Sequence, residues 1–182
     1  IACKDADAMV TGNIRHYAAS IEKLKKVTDP RPGEEIFGMT MITLKGKTIL
    51  VADTNVQDFP SPERLVKVSK SCVRVARLFG FDPKVAFLSH STFGKPISKN
   101  TKHVRDAIEL LKNEKVDFDF DGEMQPDVAL NPIYQEIYPF SKIVGNANIL
   151  IMPALHSAAI STKLMKVFGG GKLIGPLLIG LG

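Results

Sequence analysis

Residues 148–152, Asn-Ile-Leu-Ile-Met, form a short and nearly continuous apolar run that stops at Pro153. A strand of this composition has no polar face to turn to water, so it predicts a central strand covered on both sides. A second run, Val85-Ala86-Phe87-Leu88, has the same character. Strand runs of this kind alternate with helical segments along most of the chain. That alternation predicts a layered α/β domain whose sheet is mainly parallel.

The remaining elements follow from periodicity and punctuation. Ala8–Thr11 reads as a short strand ending at Gly12, and Ile14 to Val27 as a helix with Tyr17, Ile21 and Leu24 at helical spacing. Asp29-Pro30-Arg31-Pro32-Gly33 ends that helix, since two prolines and a glycine cannot continue it. Phe37–Leu44 and Thr48–Asp53 are β-rich runs joined by Lys45-Gly46-Lys47, a hairpin signal that makes the sheet mixed. Ser61-Pro62-Glu63-Arg64 opens a helix with an N-cap serine, a proline at the first position and an acid in the first turn. Its apolar stripe is Leu65, Val68, Cys72, Val75, Ala76 and Phe79, and Gly80 ends it. A helix over 100–113 turns Val104, Ile108 and Leu111 inward. Strand 116–120 then leads into Asp121-Gly122-Glu123-Met124, and residues 126–138 read as a broken helical stretch. A last helix runs from 154 to about Phe168, is capped by Gly169-Gly170-Gly171, and precedes a strand over 173–181.

At 182 residues the chain has the size of one domain, with 45% hydrophobic and 24% charged residues. The net charge of +5 invites an anionic partner. The basic residues, however, are scattered on helix faces (Lys23, Lys25, Lys26; Lys67, Lys70, Arg74, Arg77; Lys99, Lys102, Arg105) and interleaved with acids. This pattern predicts solvated faces and neither a nucleic-acid nor a membrane partner. Cys3 and Cys72 have no CxxC or zinc spacing, no run approaches the roughly 18 apolar residues of a membrane span, and no signal pattern opens the chain. The expected location is the cytoplasm. A chain that starts and stops on strand-like segments reads as cut from a longer polypeptide.

Lys84–Gly94 (KVAFLSHSTFG) carries the strongest site signal, because a buried strand passes abruptly into Ser89, His90, Ser91 and Thr92 ahead of a glycine. Open α/β sheets present ligand-binding groups at the carboxyl edge in this way, and a plain cap-and-turn role uses the same residues. Asp121 and Glu123 at the next strand end suit acid/base, metal-binding, hydroxyl-binding or structural roles. Ala52-Asp53-Thr54-Asn55 suits an Asx-type turn or a ligand contact. With right-handed crossovers, the strand ends at Ser89–Thr92, Asp121–Met124 and Pro153–His156 converge on one edge. Ser89 and His90 are adjacent on an extended segment and point opposite ways, and no GxSxG elbow occurs, which argues against hydrolase chemistry. Gly169–Gly171 follows a helix and so forms no phosphate cradle, and His16, His90, His103 and His156 lack ligand spacing, so no metal site is expected.

Six segments taken in order, DADAMVTG (5–12), VADTNV (51–56), KVAFLSHSTFG (84–94), DFDGEMQPDVAL (119–130), 147–171 and 174–182, resemble the phosphotransacetylase family. The wording is most similar to the phosphotransacetylase-like C-terminal region of hybrid NADP-dependent malic enzymes. His90 stands where stand-alone transferases usually have tyrosine, and DGEM where they tend to read DGPLQ or DGELQ. The resemblance implies a three-layer α/β/α fold with a mainly parallel, mixed sheet, isocitrate/isopropylmalate dehydrogenase-like. Residues 1–182 would be mostly the family's second domain, with 1–13 and 172–182 leading towards a first domain. It further implies that the segment promotes homo-oligomerisation, as a dimer, and binds acetyl-CoA as a regulator. NADP and a divalent metal, magnesium or manganese, would serve the malic enzyme part. The implied coenzyme cleft is lined by Thr11, Gly12, Asn13, Ser89, His90, Ser91, Thr92, Asp121, Glu123 and His156, with no catalytic residue in the segment. Two arginines that bind phosphate and coenzyme in the transferases align with Glu22 and Val167. A carboxylate in place of a guanidinium repels an anionic substrate, so acyl transfer is not expected. The alternatives are a working phosphate acetyl- or butyryltransferase represented by a fragment, and a purely dimerising domain with a vestigial cleft.

Overall fold

The computed structural model describes residue 14, residues 17–52 and residues 58–181. Expectations for Cys3, for the strand 8–11, for Thr11, Gly12 and Asn13, and for Asp53, Thr54 and Asn55 fall outside the described residues. The elements are α1 (Tyr17–Leu24), β1 (Phe37–Leu44), β2 (Lys47–Ala52), α2 (Pro62–Leu78), β3 (Lys84–Leu88), α3 (Lys102–Asn113), β4 (Asp119–Met124), α4 (Pro126–Leu130), β5 (Ile149–Ile151), α5 (Leu155–Gly169) and β6 (Lys172–Ile179). Short 3-10 turns precede α3 at Lys99–Thr101 and follow α4 at Pro132–Gln135.

The six strands form one sheet in the order β4-β3-β5-β2-β1-β6. β2, β3, β4 and β5 pair in parallel, whereas β1 is antiparallel to both β2 and β6. Five strands therefore share one direction and β1 alone opposes them, the mixed sheet that the hairpin signal predicts. Lys45 and Gly46, at φ +50° and +75°, make the two-residue turn between β1 and β2, so Lys47 belongs to the strand and not to the turn.

Alternation along the strands separates two cores. Leu50, Val85, Phe87, Ile149 and Ile151 pack with α2 and α3 on one face. Val51, Ala86, Leu88 and Leu150 pack on the other with α4, α5 and the 143–147 segment. This is the three-layer α/β/α arrangement, and β5 has the interior place that its apolar run demands.

The α2 start conforms to its capping residues: the Arg64 amide donates to Ser61 Oγ at 3.3 Å and Pro62 occupies the first turn. The buried stripe of α2 is wider than expected, with Val66 and Val73 added, and Phe79 is excluded from it. Phe79 is the C-cap residue and is half exposed, because the chain turns at Gly80 (φ +79°) before that ring reaches the core. The first described helix is shorter than expected, since residues 25–27 form a turn after Leu24.

The largest correction concerns β4. The expected strand 116–120 is displaced towards the C-terminus, so that Asp121-Gly122-Glu123-Met124 lies inside the strand and not beyond it. Pairing with β3 fixes this: Ala86 faces Asp121, Phe87 faces Gly122, and Leu88 faces Met124. Glu123 is the extra residue of a bulge. The bulge returns Met124 to the α4 side and leaves Glu123 directed to α3.

Candidate active site

The carboxyl ends of β4, β3 and β5 lie side by side along one edge of the sheet. The segment following β3 carries the polar residues. Strand alternation persists past Leu88, so Ser89 and Ser91 point inward and His90 points to solvent. Ser89 Oγ and Ser91 Oγ are 3.2 Å apart, and the Ser91 amide donates to Ser89 Oγ at 3.3 Å. Ser91 Oγ then donates to Glu123 Oε1 at 2.6 Å. Glu123 is 1% exposed, one of the most deeply buried large side chains.

A carboxylate at that depth requires a cation or hydrogen-bond donors. Arg105, on the first turns of α3, supplies both. Its Nη1 donates to Glu123 Oε1 at 3.1 Å and to Thr101 Oγ1 at 2.5 Å, and its Nη2 donates to the Ser98 carbonyl at 3.0 Å. One guanidinium thus ties together the β4 bulge, the 3-10 turn and the loop that follows β3. Glu123 Oε2 is buried and has no hydrogen-bond partner among the described residues.

The outer part of the loop is fixed by a tight turn. Thr92 and Lys95 exchange backbone bonds of 2.8 and 3.1 Å across Phe93 and Gly94, both with positive φ. For phenylalanine that conformation is unfavourable. It is held by a bond from the Phe93 amide to the Glu123 carbonyl at 2.7 Å and by ring contacts with Phe140 and Tyr138, 4.8 and 5.3 Å between centroids. Gln125 closes the assembly, its amide donating to Thr92 Oγ1 at 3.1 Å and its side chain to the His90 carbonyl at 2.8 Å.

The expected cleft residues are therefore placed in three groups. Ser89, Ser91 and Glu123 form one buried network beneath the loop, and Thr92, also buried, accepts separately from the Gln125 amide. Asp121 lies on the opposite side of β4, where its carboxylate accepts from the Gly122 amide at 2.9 Å and the Lys142 amide at 2.8 Å and anchors the 140–143 segment. His90 and His156 are exposed, the first on the loop after β3 and the second in the first turn of α5.

Three participants were missed by sequence reasoning. Arg105 was expected on a solvated face with Lys99 and Lys102, and the structure corrects this. The signal was present: Arg105 follows Val104 directly and precedes Ile108 by three, on the border of the inward stripe of α3. Gln125 and His103 are the others. His103 Nε2 lies 3.0 Å from the Pro153 carbonyl, and its ring is tilted against Phe59, 4.7 Å between centroids. The start of α3 thereby ties to the end of β5 as well as to β4. Chemically the edge offers hydroxyls, amides and imidazoles. Among the described residues no group of three or more potential ligands gathers to hold a metal, and no helix is long and apolar enough to cross a membrane.

Comparison with known proteins gives a consistent answer. The model of the Phosphate acetyl/butaryl transferase family matches residues 1–182. The NADP-dependent malic enzyme of Rhizobium meliloti is 45% identical over 181 residues, which are 100% of this chain but 24% of that protein. The phosphate acetyltransferase of Bacillus subtilis is 29% identical over 97% of this chain and 55% of its own length. A phosphotransacetylase crystal structure from Streptococcus pyogenes superposes with a TM-score of 0.89 at 30% identity, over 97% of this chain and 55% of that one. The chain thus spans about a quarter of the malic enzyme, and 55% of the Bacillus subtilis transferase but only 25% of the phosphate acetyltransferase of Nitratidesulfovibrio vulgaris. With a family match from end to end and a fold that superposes on a phosphotransacetylase over 97% of its length, this chain belongs to the phosphate acetyl/butyryl transferase family.

Proposed function

We propose that this chain is the C-terminal regulatory and assembly part of a hybrid NADP-dependent malic enzyme, and that it binds acetyl-CoA at the carboxyl edge of its sheet. The observation that carries this reading is the 45% identity over the whole chain to a malic enzyme of which the matched segment is 24%. Conversion of malate to pyruvate and carbon dioxide, with NADP and magnesium or manganese, would belong to polypeptide outside these 182 residues.

Acetyl-CoA combines a thioester, a pantetheine arm with two amides, and an anionic nucleotide. His90 and His156 lie exposed at the edge where such an arm would run, and Thr11, Gly12 and Asn13 are the further candidates. Ser89, Ser91 and Glu123 would act from beneath, by fixing the loop that presents His90. Asp121 would serve by holding the adjacent segment. The aligned arginine positions support binding without acyl transfer: Glu22 is exposed and 3.6 Å from Lys26, and Val167 is an exposed apolar residue of α5.

The test is malate oxidation by the full-length polypeptide with NADP and magnesium, titrated with acetyl-CoA. A saturable change in rate, weakened in a His90→Ala variant, is expected. No change in rate and no heat of binding would overturn the regulatory reading. The end-to-end family match favours a second reading, an active phosphate acetyltransferase. Formation of acetyl-CoA from acetyl phosphate and coenzyme A at a rate above the uncatalysed one would establish it.

A further inference from the structure

Lys70, Arg74 and Arg77 recur at i, i+4 and i+7 along the outward face of α2 and reach solvent, as their spacing predicts. The spacing does not reveal what faces them. Residues 114–118, which lead from α3 into β4, run beside the second half of α2, and the Arg77 Nη2 donates to the Asp117 carbonyl at 3.0 Å. A groove of about 450 Å³ opens between the two segments, within the roughly 300–1,000 Å³ of small-molecule sites. It lies where β3 and β4 begin, with Lys84 opposite Asp119, and so at the edge of the sheet away from Ser89–Thr92.

The rim and the floor of this groove differ in chemistry. Lys70, Arg74, Arg77 and Lys115 supply four cations to the lining, against one carboxylate, Asp117. Val73, Val116 and Phe118 give it an apolar floor, and Leu78, 81% exposed, adds a further apolar side chain. The Phe118 ring is itself held against Phe120, 6.0 Å between centroids. Three of the cations each meet a carboxylate: Lys70 meets Glu114, Arg74 Nη2 lies 2.6 Å from Glu34 Oε2, and Arg77 Nη1 lies 3.1 Å from Asp117 Oδ2. Lys115 is exposed and has no carboxylate partner among the described residues. Ion pairs this open to water contribute little to a fold, so an anion that takes the place of the carboxylates costs the protein little. Arginine forks in particular match two oxygens of one phosphate.

We infer that this groove binds a nucleoside phosphate, its base against Phe118, Val116 and Leu78 and its phosphates among Lys70, Arg74 and Lys115. The two halves of the lining choose this ligand. A bare anion leaves the apolar floor in water, and a wholly apolar ligand desolvates cations without giving them a partner. A base joined to phosphates answers both, and stacking on an aromatic ring tolerates any base. The source is a free nucleotide or the nucleotide end of a coenzyme. The inference does not rest on the proposed acetyl-CoA effect at the carboxyl edge, which is read separately by malate oxidation.

The experiment is calorimetric titration of ADP into the full-length polypeptide with NADP at saturation, so that a dinucleotide site elsewhere in the polypeptide is already filled. Saturable binding is expected, weakened about tenfold in Lys115→Glu, a surface variant with an unchanged melting temperature. Inorganic phosphate is expected to bind more weakly than ADP, because it leaves the floor unused. The absence of saturable ADP binding would overturn the inference. Binding that Lys115→Glu leaves unchanged would overturn the location, and phosphate binding as tightly as ADP would overturn the role given to the floor. Repeating the titration with acetyl-CoA at saturation separates the two sources: retained ADP binding assigns the groove to a free nucleotide, and displaced ADP assigns it to the nucleotide end of the coenzyme.

Discussion

Replacing Arg105 by alanine should be one of the costliest single changes in this chain. Its guanidinium is one-third exposed, but the carboxylate that it meets is wholly buried, and removing the cation leaves Glu123 as an uncompensated charge in the interior. Breaking a buried pair from one side costs about 3–5 kcal/mol. Partial solvent access to Arg105 points to the lower end, about 3 kcal/mol, including the lost bonds to Thr101 and the Ser98 carbonyl. Glu123→Gln removes the charge and keeps an acceptor for Ser91, so it should cost about 1 kcal/mol, the scale of one hydrogen bond. The double variant should then fall short of the sum by at least about 1 kcal/mol, because without the carboxylate the guanidinium has little left to neutralise. Urea denaturation with an unchanged m-value measures all three. Additivity within about 0.5 kcal/mol would refute the argument that Arg105 acts through Glu123.

Other positions give sharper or smaller effects. Gly122→Ala places a Cβ 2.6 Å from the Phe87 carbonyl oxygen at φ +146°, so the variant should lose several kcal/mol or fail to fold, as read by its urea midpoint. Ser61→Ala removes the N-cap of α2 and should cost about 1 kcal/mol in the same assay. Asp117 is held below the ordinary carboxylate range by its hydrogen bond from Arg77, and Glu63 by a backbone N–H bond and then by Ser61. Their stabilisation is present above the ordinary carboxylate pKa and is lost as pH falls through the lowered values. Melting temperature should therefore drop on acidification below about pH 4, and less steeply in an Asp117→Asn variant.

What was legible in the sequence follows from the strength of local patterning. The apolar run at 148–152 and the Ser61-Pro62 start define β5 and α2 because each is dictated by neighbours in the chain, by burial in one case and capping in the other. The Lys45-Gly46 turn was legible for the same reason. The bulge at Glu123 was not, since the extra residue is decided by pairing with β3, across more than thirty residues of chain. The candidate site was legible only in part. Ser89, Ser91 and Thr92 stand out as a polar break after an apolar strand, and the structure gathers them. Arg105 was lost among surface cations, because a basic residue on a helix gives no sign of the carboxylate that another strand brings to it. Asp121 and Glu123, two residues apart, face opposite sides of β4 and serve different segments, a division that their spacing alone does not reveal.

These 182 residues are proposed as the C-terminal part of a malic enzyme, and the intact mass of the natural polypeptide, read together with its malate oxidation, tests that most directly. If the chain is about a quarter of a malic enzyme, as in the Rhizobium meliloti relative, the mass should be roughly four times 19.9 kDa and the intact polypeptide should oxidise malate with NADP; a fourfold mass without malate oxidation would match the phosphate acetyltransferase of Nitratidesulfovibrio vulgaris instead. A mass of only about twice 19.9 kDa, the proportion of the Bacillus subtilis transferase, would contradict the claim and make acyl transfer the function to pursue.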